Sequence, residues 1–177
     1  CLQKIERRIQ GEPIAYITNK KDFLNYSFYV EEGVLIPRPE TELLVEYALH
    51  FIETGKPQEK IWILDIGAGS GCIGVSILNE VSNAHVVALD ISKTAEAVSS
   101  KNAEFYKVQD RFYFVQKDAD AVDFSHFHEF KKHGFTGLFD IVISNPPYIS
   151  FDDQEVEKNV RKYEPEEALF CKDSGLE

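Results

Sequence analysis

The chain has 177 residues, which suits a single domain, and 44% of them are apolar, enough to form a hydrophobic core. It carries 19 Lys and Arg against 30 Asp and Glu, so its formal net charge is −11, and its isoelectric point is about 4.9. This acidity disfavours direct binding to nucleic acid, and no apolar run approaches the roughly 18 residues of a membrane span. The 3 cysteines lie far apart, which disfavours a disulfide framework or a zinc site, so we expect a cytoplasmic protein.

The first third of the chain predicts short elements separated by breaks. Residues 2–10 have the apolar spacing of a helix, which residues 11–13 (Gly-Glu-Pro) end. Residues 23–36 predict a β-hairpin with strands at 28–30 and 34–36 and Gly33 in the turn. Prolines at 37 and 39 precede a predicted helix over residues 40–53. Its apolar residues at helical spacing are Leu43, Leu44, Tyr47, Ala48 and Phe51.

From residue 61 onward, strands and helices alternate. The strands are predicted at residues 61–66, 85–90, 112–115 and 139–143, and the helices at 72–81 and 94–108, while 118–137 is predicted as a loop with at most one short helix. This order predicts an α/β fold with a mostly parallel sheet. Because ligands bind at the carboxyl ends of such strands, we expect residues 67–71, Asp90 and residues 145–148 to share one site.

A glycine-rich turn and a later aspartate predict a nucleoside-binding site. The turn reads Asp65-Ile66-Gly67-Ala68-Gly69-Ser70-Gly71, and Asp90 follows Gly71 by 19 residues at the end of the next strand. Glycines allow a ligand to approach the bare backbone, and the Asp90 carboxylate can bind both hydroxyls of a ribose. The same features also fit a turn that has only a structural role in packing the strand against the helix. They fit equally a non-catalytic module that binds an adenosine nucleotide.

The spacing of the glycines bears on which nucleoside binds. A dinucleotide site requires G-x-G-x-x-G directly after the strand, but the sixth position counted from Gly67 is Cys72, and the match that starts at Gly69 comes too late. The G-x-G-x-G form instead resembles the first motif of S-adenosylmethionine (AdoMet) methyltransferases. In that interpretation Asp65 suits the ammonium group of AdoMet.

The segment Asn145-Pro146-Pro147-Tyr148 predicts a site for a planar amino group. Two prolines fix the backbone, so the Pro146 carbonyl and the Asn145 side chain offer two converging acceptors, and Tyr148 offers a flat surface. If these two acceptors bind both N–H groups of the amino group, its nitrogen would be oriented toward a sulfonium methyl for in-line displacement. This chemistry needs no metal. A glutamine amide and the exocyclic amine of adenine or guanine both remain open as substrates.

Two other groups of residues are interpreted as structural. His126, His128 and His133 lie close together, but no accompanying cysteine or carboxylate pattern predicts a metal site, so we interpret them as part of a solvated loop. Cys72 is interpreted as a small buried helix residue and not as a nucleophile.

The sequence resembles the HemK/PrmC family of AdoMet-dependent glutamine N5-methyltransferases, which act on peptide chain release factors. The resemblance is carried by residues 11–17, 35–42, 145–148 and 160–165, with Ala168, Leu169 and residues 173–175. It implies a class I methyltransferase fold (Rossmann-like, with helices on both faces of the sheet). Residues 1–36 would be the remnant of an N-terminal helical domain with a linking hairpin, and 37–177 the methyltransferase domain. The chain would be truncated at both ends and would lack the C-terminal strands of the sheet.

The resemblance also implies roles for individual residues. The residues expected to bind AdoMet are Asp65, Gly67, Ala68, Gly69, Ser70, Gly71, Asp90, Asp118, Ala119 and Asn145. The substrate pocket would consist of Asn145, Pro146, Pro147 and Tyr148, of which Asn145, Pro146 and Tyr148 would be catalytic. The expected substrate is the glutamine of a Gly-Gly-Gln tripeptide in a release factor, and the cofactor product is S-adenosylhomocysteine. We expect a monomer without a nucleic-acid or membrane partner.

Overall fold

The computed structural model describes residues 2–56 and 59–171. In this part of the chain the first elements are helices α1 (Leu2–Ile9) and α2 (Ile14–Thr18), so the first predicted helix is confirmed. The predictions that concern residue 1 and residues 173–177 lie outside the described residues. The domain boundary between residues 36 and 37 stays a prediction.

The hairpin that follows is real, but its predicted position is wrong. It pairs β1 (Lys21–Phe23) with β2 (Tyr26–Phe28) in antiparallel register, and Leu24 in the turn has a φ of 51°. Gly33 does lie in a turn, with a φ of 98°, but the segments on either side of it form no strands. Val30 and Val34 are buried against Ala95 and Val98 instead. These two valines are apolar because they are buried in this cluster, and not because they belong to paired strands.

Four of the described strands form the central parallel sheet. They are β3 (Ile61–Ile66), β4 (Ala84–Asp90), β5 (Phe112–Gln116) and β6 (Ile141–Ser144). Their order across the sheet is β5-β4-β3-β6, and each neighbouring pair is parallel, so the predicted α/β class is confirmed. Ile66 pairs with Leu89 on one side and with Ser144 on the other. The turns after β3, β4 and β6 therefore meet at one edge of the sheet.

Both faces of this sheet are covered. The main helices are α3 (Glu42–Thr54), α4 (Cys72–Glu80) and α5 (Lys93–Phe105). Because side chains alternate along a strand, Ile63 packs into the cluster that contains residues of α3 and α4, whereas Trp62 faces the other way, toward Phe127 and Phe130. These two phenylalanines belong to a 3-10 helix (Phe124–His133), where the sequence predicted a loop with at most one short helix. Residues three apart lie on the same side of a 3-10 helix, so both rings reach the sheet.

Helix α3 forms where the apolar spacing predicted a helix. Val45 and Ala48 are buried, whereas Leu43, Tyr47 and Phe51 are more than half exposed. The helix carries apolar residues on two sides, so the spacing alone does not determine which side packs against the sheet.

The last described segment returns to the carboxyl edge of the sheet through elements that the sequence pattern did not predict. Helices α6 (Lys158–Tyr163) and α7 (Glu166–Leu169) lie between β7 (Ile149–Ser150) and β8 (Phe170–Cys171), two short strands that pair in parallel. None of the helices in the described residues has the length and apolar character needed to span a membrane.

Candidate active site

A cavity of about 490 Å³ lies at the carboxyl edge of the sheet, where the turns after β3, β4 and β6 meet. Eight of the residues singled out from the sequence line it. They are Gly67, Gly69, Asp90, Asp118, Ala119, Asn145, Pro146 and Pro147. The sheet therefore brings the glycine turn, the aspartate after the second strand and the Asn-Pro-Pro segment to one place, as the topology predicted.

The glycines of the turn serve two different purposes. Gly67 and Gly69 have φ values of 75° and 53°, and a Cβ on Gly67 would meet no atom within 4 Å. These two positions leave open space over the cavity floor. Gly71 also has a φ of 75°, but its Cβ would lie 2.9 Å from Cβ of Ser99. Gly71 is therefore required for close packing of the turn, and it does not line the cavity.

The carboxylate of Asp90 is held in place by backbone donors. Its Oδ2 accepts a hydrogen bond from the N–H of Gly69 at 2.8 Å, and its Oδ1 accepts one from the N–H of Ser92 at 2.9 Å. A carboxylate has about four acceptor positions, so both oxygens keep capacity toward the cavity. The side chain thus fixes the turn and presents acceptors to a ligand at the same time.

Asp65 lies beneath the turn and not at the cavity surface. It is fully buried, and its Oδ2 accepts a hydrogen bond from the N–H of Gly74 in the first turn of α4 at 3.3 Å. Gly71, which precedes this helix, has no side chain to cap it, so Asp65 takes over that role. Its Oδ1 has no hydrogen-bond partner, and burial, reinforced by the charge of Asp90, raises the pKa of the carboxyl to about 7.

Ala68 and Ser70 are also buried within the turn and do not line the cavity. The Ser70 carbonyl accepts a hydrogen bond from Nδ2 of Asn102 at 2.9 Å. These two residues shape the turn through packing and backbone contacts.

Asn145 follows β6 and has one side-chain partner. Its Nδ2 donates a hydrogen bond to Oγ1 of Thr41 at 3.1 Å. Because the amide nitrogen is engaged there, the side-chain carbonyl oxygen is left as an acceptor on the opposite side. The pairing of this oxygen with the Pro146 carbonyl as two converging acceptors stays a prediction.

A second cavity, of about 280 Å³, adjoins the first. Its lining is mostly apolar and includes Tyr148, which does not line the first cavity. The two cavities share four lining residues. They are Leu35, Asn145, Pro146 and Ala168. Asn145 and Pro146 therefore stand at the boundary of two spaces, one beside the glycine turn and one beside Tyr148.

The first cavity has an acidic lining. Four carboxylate residues line it, against one lysine, Lys117. The carboxylates are Asp90, Asp118, Asp120 and Glu167. The carboxylate Oδ1 of Asp118 accepts a hydrogen bond from the N–H of Asp120 at 3.1 Å, which orders this part of the wall. Such a lining favours a ligand that carries positive charge.

Sequence reasoning on the individual motifs missed part of the site. Val34, Leu35, Lys117, Pro165 and Glu167 line the first cavity, and Arg38 lines the second. Thr41 and Glu164 lie behind the walls, where they contact Asn145 and Arg38. Several of these residues belong to segments 35–42 and 160–165, which carried the family resemblance. That resemblance was the signal that could have located them.

His128, His133 and the buried Cys72 do not line either cavity. His128 is exposed, and the ring of His133 packs on Tyr113 with centroids 4.9 Å apart. In the part of the chain that the structure describes, no three His, Cys, Asp or Glu side chains form a group able to hold a metal ion. Burial raises the pKa of the Cys72 thiol to about 12, so it is a poor nucleophile at neutral pH.

Comparisons with known proteins agree with this geometry. Residues 41–163 match the family model of the methyltransferase small domain. The release factor glutamine methyltransferase of Chlorobaculum tepidum is 39% identical over 93% of this chain and 54% of its own length. The release factor glutamine methyltransferase of Lactococcus lactis is 41% identical over 99% of this chain and 59% of its own length. The chain thus spans a little over half the length of these curated relatives.

A solved structure agrees with the fold. The human methyltransferase 10 domain containing protein has a TM-score of 0.50 to this chain, with 20% sequence identity, over 66% of this chain and 51% of its own. At that level of identity the likeness concerns the fold alone. The matched domain and the parallel sheet together establish that the chain belongs to the methyltransferase small-domain family and has the α/β class I methyltransferase fold.

Proposed function

We propose that the protein transfers a methyl group from AdoMet to the side-chain amide nitrogen of a glutamine in a peptide chain release factor. The observation that carries the proposal is the position of Asn145 and Pro146, which line both cavities. A cofactor in the larger cavity and a side chain in the smaller one would meet at these two residues. The relatives named release factor glutamine methyltransferase support this substrate.

The larger cavity fits AdoMet on several grounds. Its volume of about 490 Å³ lies in the usual range for small-molecule sites. The open space over Gly67 and Gly69 admits a ligand against the backbone, and Asp90 keeps acceptors for ribose hydroxyls. The acidic lining suits the net positive charge of AdoMet. When bound, AdoMet would supply a methyl group for attack by a nitrogen lone pair: S-adenosylhomocysteine leaves as the C–S bond breaks, and the nitrogen loses one of its two protons.

The smaller cavity fits an uncharged planar group. Apart from Arg38, Glu157 and Asn145, its lining residues are apolar or aromatic. An amide NH₂ has two N–H donors, which Oδ1 of Asn145 and the Pro146 carbonyl can accept. Accepting both bonds directs the nitrogen lone pair toward the larger cavity and stabilises the positive charge that develops on the nitrogen during transfer. Tyr148 can stack on the plane of the amide.

Mass spectrometry of a modified release factor tests the proposal. The full-length protein is incubated with AdoMet labelled in its methyl group and with a bacterial release factor, which is then digested and analysed. We expect one added methyl group on the glutamine of the Gly-Gly-Gln tripeptide. A release factor in which glutamate replaces that glutamine keeps the shape but lacks the NH₂, and we expect it to stay unlabelled. Label in added nucleic acid only, or equal label in both release factors, would contradict the proposal.

A further inference from the structure

Thr41 lies behind the site and contacts its central residue. It is the last residue of the 3-10 turn Pro39–Thr41, and the residue as a whole is only 7% exposed. Oγ1 of Thr41 accepts the hydrogen bond from Nδ2 of Asn145 at 3.1 Å, across 104 residues of sequence. This contact joins the segment before the methyltransferase sheet to the loop after β6.

In the structure this contact places the NH₂ end of the Asn145 amide toward Thr41 and its oxygen on the other side. An asparagine amide has a broad, roughly two-fold preference about its last torsion, so its oxygen and NH₂ can exchange places. With the NH₂ group bound to Thr41, the oxygen faces the substrate as an acceptor. In the reversed orientation Asn145 would present N–H donors to the N–H donors of a substrate amide, and the acceptor pair would be lost.

A buried ion pair fixes the turn that carries Thr41. Glu164 is 5% exposed, and its carboxylate accepts hydrogen bonds from Nη2 of Arg38 at 2.6 Å and from the N–H of Ile36 at 3.0 Å. The N–H of Thr41 in turn donates to the Arg38 carbonyl at 3.1 Å. Thr41 is therefore positioned by the backbone of a segment that Glu164 anchors and not only by its own packing.

We infer that Thr41 is a positioning residue for methyl transfer, which holds the Asn145 side chain with its oxygen toward the substrate amide. The inference rests on the proposed function, because it assigns a task within the same site. Thr41 itself lines neither cavity, so it acts through Asn145.

Two substitutions separate this role from simple packing. Thr41→Val keeps the shape and removes the hydroxyl, whereas Thr41→Ser keeps the hydroxyl and removes a methyl group. In the full-length protein we expect Thr41→Val to lower kcat about ten-fold, with the KM for AdoMet changed less than about two-fold. We expect Thr41→Ser to keep kcat within about three-fold of the wild type. A packing role predicts the opposite order, because serine leaves a cavity and valine does not. Greater loss in Thr41→Ser than in Thr41→Val would overturn the inference.

A second measurement does not depend on activity. The side-chain NH₂ signals of Asn145 are assigned in ¹⁵N NMR spectra by their absence in Asn145→Asp, and their exchange with solvent is measured. We expect slow exchange in the wild type and in Thr41→Ser, and faster exchange in Thr41→Val. Equal exchange in all three proteins would overturn the inference. Failure of the wild type to methylate a release factor would contradict the proposed function alone, and the exchange rates would then still decide on Thr41.

Discussion

The two cavities are built in different ways. The larger one is formed by turns that directly follow strands of one parallel sheet, so Gly67, Asp90 and Asn145 reach it because β3, β4 and β6 end at the same level. The smaller one is assembled from segments 35–38 and 145–169, which are far apart in sequence and are tied by contacts such as that between Arg38 and Glu164. One cavity depends on local backbone geometry and the other on a few long-range side-chain contacts.

The difference extends to the elements behind each wall. Two of the three strands behind the larger cavity, β3 and β4, are buried for most of their length, and in β4 all residues before Asp90 are buried. The smaller cavity is backed by short elements, with two residues in each of β7 and β8 and four in α7. Segments with few buried contacts open more easily than a sheet core. The walls of the smaller cavity should therefore depend more strongly on single side chains.

Breaking the Arg38–Glu164 pair is the strongest test of this dependence. Arg38→Ala leaves the carboxylate of Glu164 buried and without its charged partner, which we expect to cost about 3 kcal/mol in the free energy of unfolding. Denaturant unfolding measures this cost. The matched control is Arg7→Ala, which breaks the more exposed pair with Glu12 and should cost clearly less than Arg38→Ala. Equal losses in the two variants would show that the smaller cavity does not depend on this contact.

Asn145→Ala tests one of the residues that both cavities share. It removes an acceptor that acts mainly on the transition state, so we expect turnover on a release factor to fall about 100-fold or more, with AdoMet affinity less affected. Steady-state kinetics and cofactor titration separate the two effects. Asn79→Ala is the control, since Nδ2 of Asn79 only donates to the Val75 carbonyl within α4. Unchanged turnover in Asn145→Ala would contradict the proposed chemistry.

Gly67→Ala tests the larger cavity alone. Gly67 and Gly137 both have positive φ values, and at neither position would a Cβ meet an atom within 4 Å, but only Gly67 lines the cavity. We expect both alanine variants to lose about 1 kcal/mol of stability from backbone strain. Only Gly67→Ala should also weaken AdoMet binding, by about ten-fold, because its methyl group projects toward the ligand. Calorimetric titration of both variants measures this, and equal affinities would argue against a ligand at this turn.

Asp65→Asn should have the smallest effect, and one that depends on pH. Because the pKa of Asp65 is raised to about 7 in the folded protein, its protonated form favours folding, and that contribution is lost as the pH rises from about 4 through 7. Asparagine does not ionise. We therefore expect the Tm of Asp65→Asn, relative to that of the wild type, to rise by a few degrees between pH 5 and pH 8. A constant difference in Tm across this range would contradict a raised pKa.

The parts of the site that depend on local backbone geometry were predictable from the sequence, whereas those that depend on long-range side-chain contacts were not. The strand ends and the glycine turn were predictable because a strand, a glycine turn and a helix are recognised from neighbouring residues, and Asp90 lies at the next strand end. The contact between Thr41 and Asn145 was not, because no local pattern reports a pairing across 104 residues. Asp65 shows a third case. Its position was predicted, but its burial beneath the turn depends on how α4 packs.

The fold was predictable to a similar extent. The strands over residues 61–66 and 84–90 combine apolar runs with clear boundaries, so their prediction succeeded. The hairpin was placed too late because buried residues such as Val30 and Val34 are as apolar as a strand without forming one. The sequence pattern did not identify the exposed side of α3, because Tyr47 and Phe51 keep helical spacing on a face that does not meet the sheet.

The wall shared by Asn145 and Pro146 has a thermodynamic consequence. A ligand on either side of this wall alters the surface offered to the other, so the two binding events are linked. Such linkage is reciprocal: whatever factor the cofactor contributes to substrate affinity, the substrate must return to cofactor affinity. Titrating AdoMet with and without a substrate peptide would therefore also measure how strongly the cofactor prepares the enzyme for its peptide.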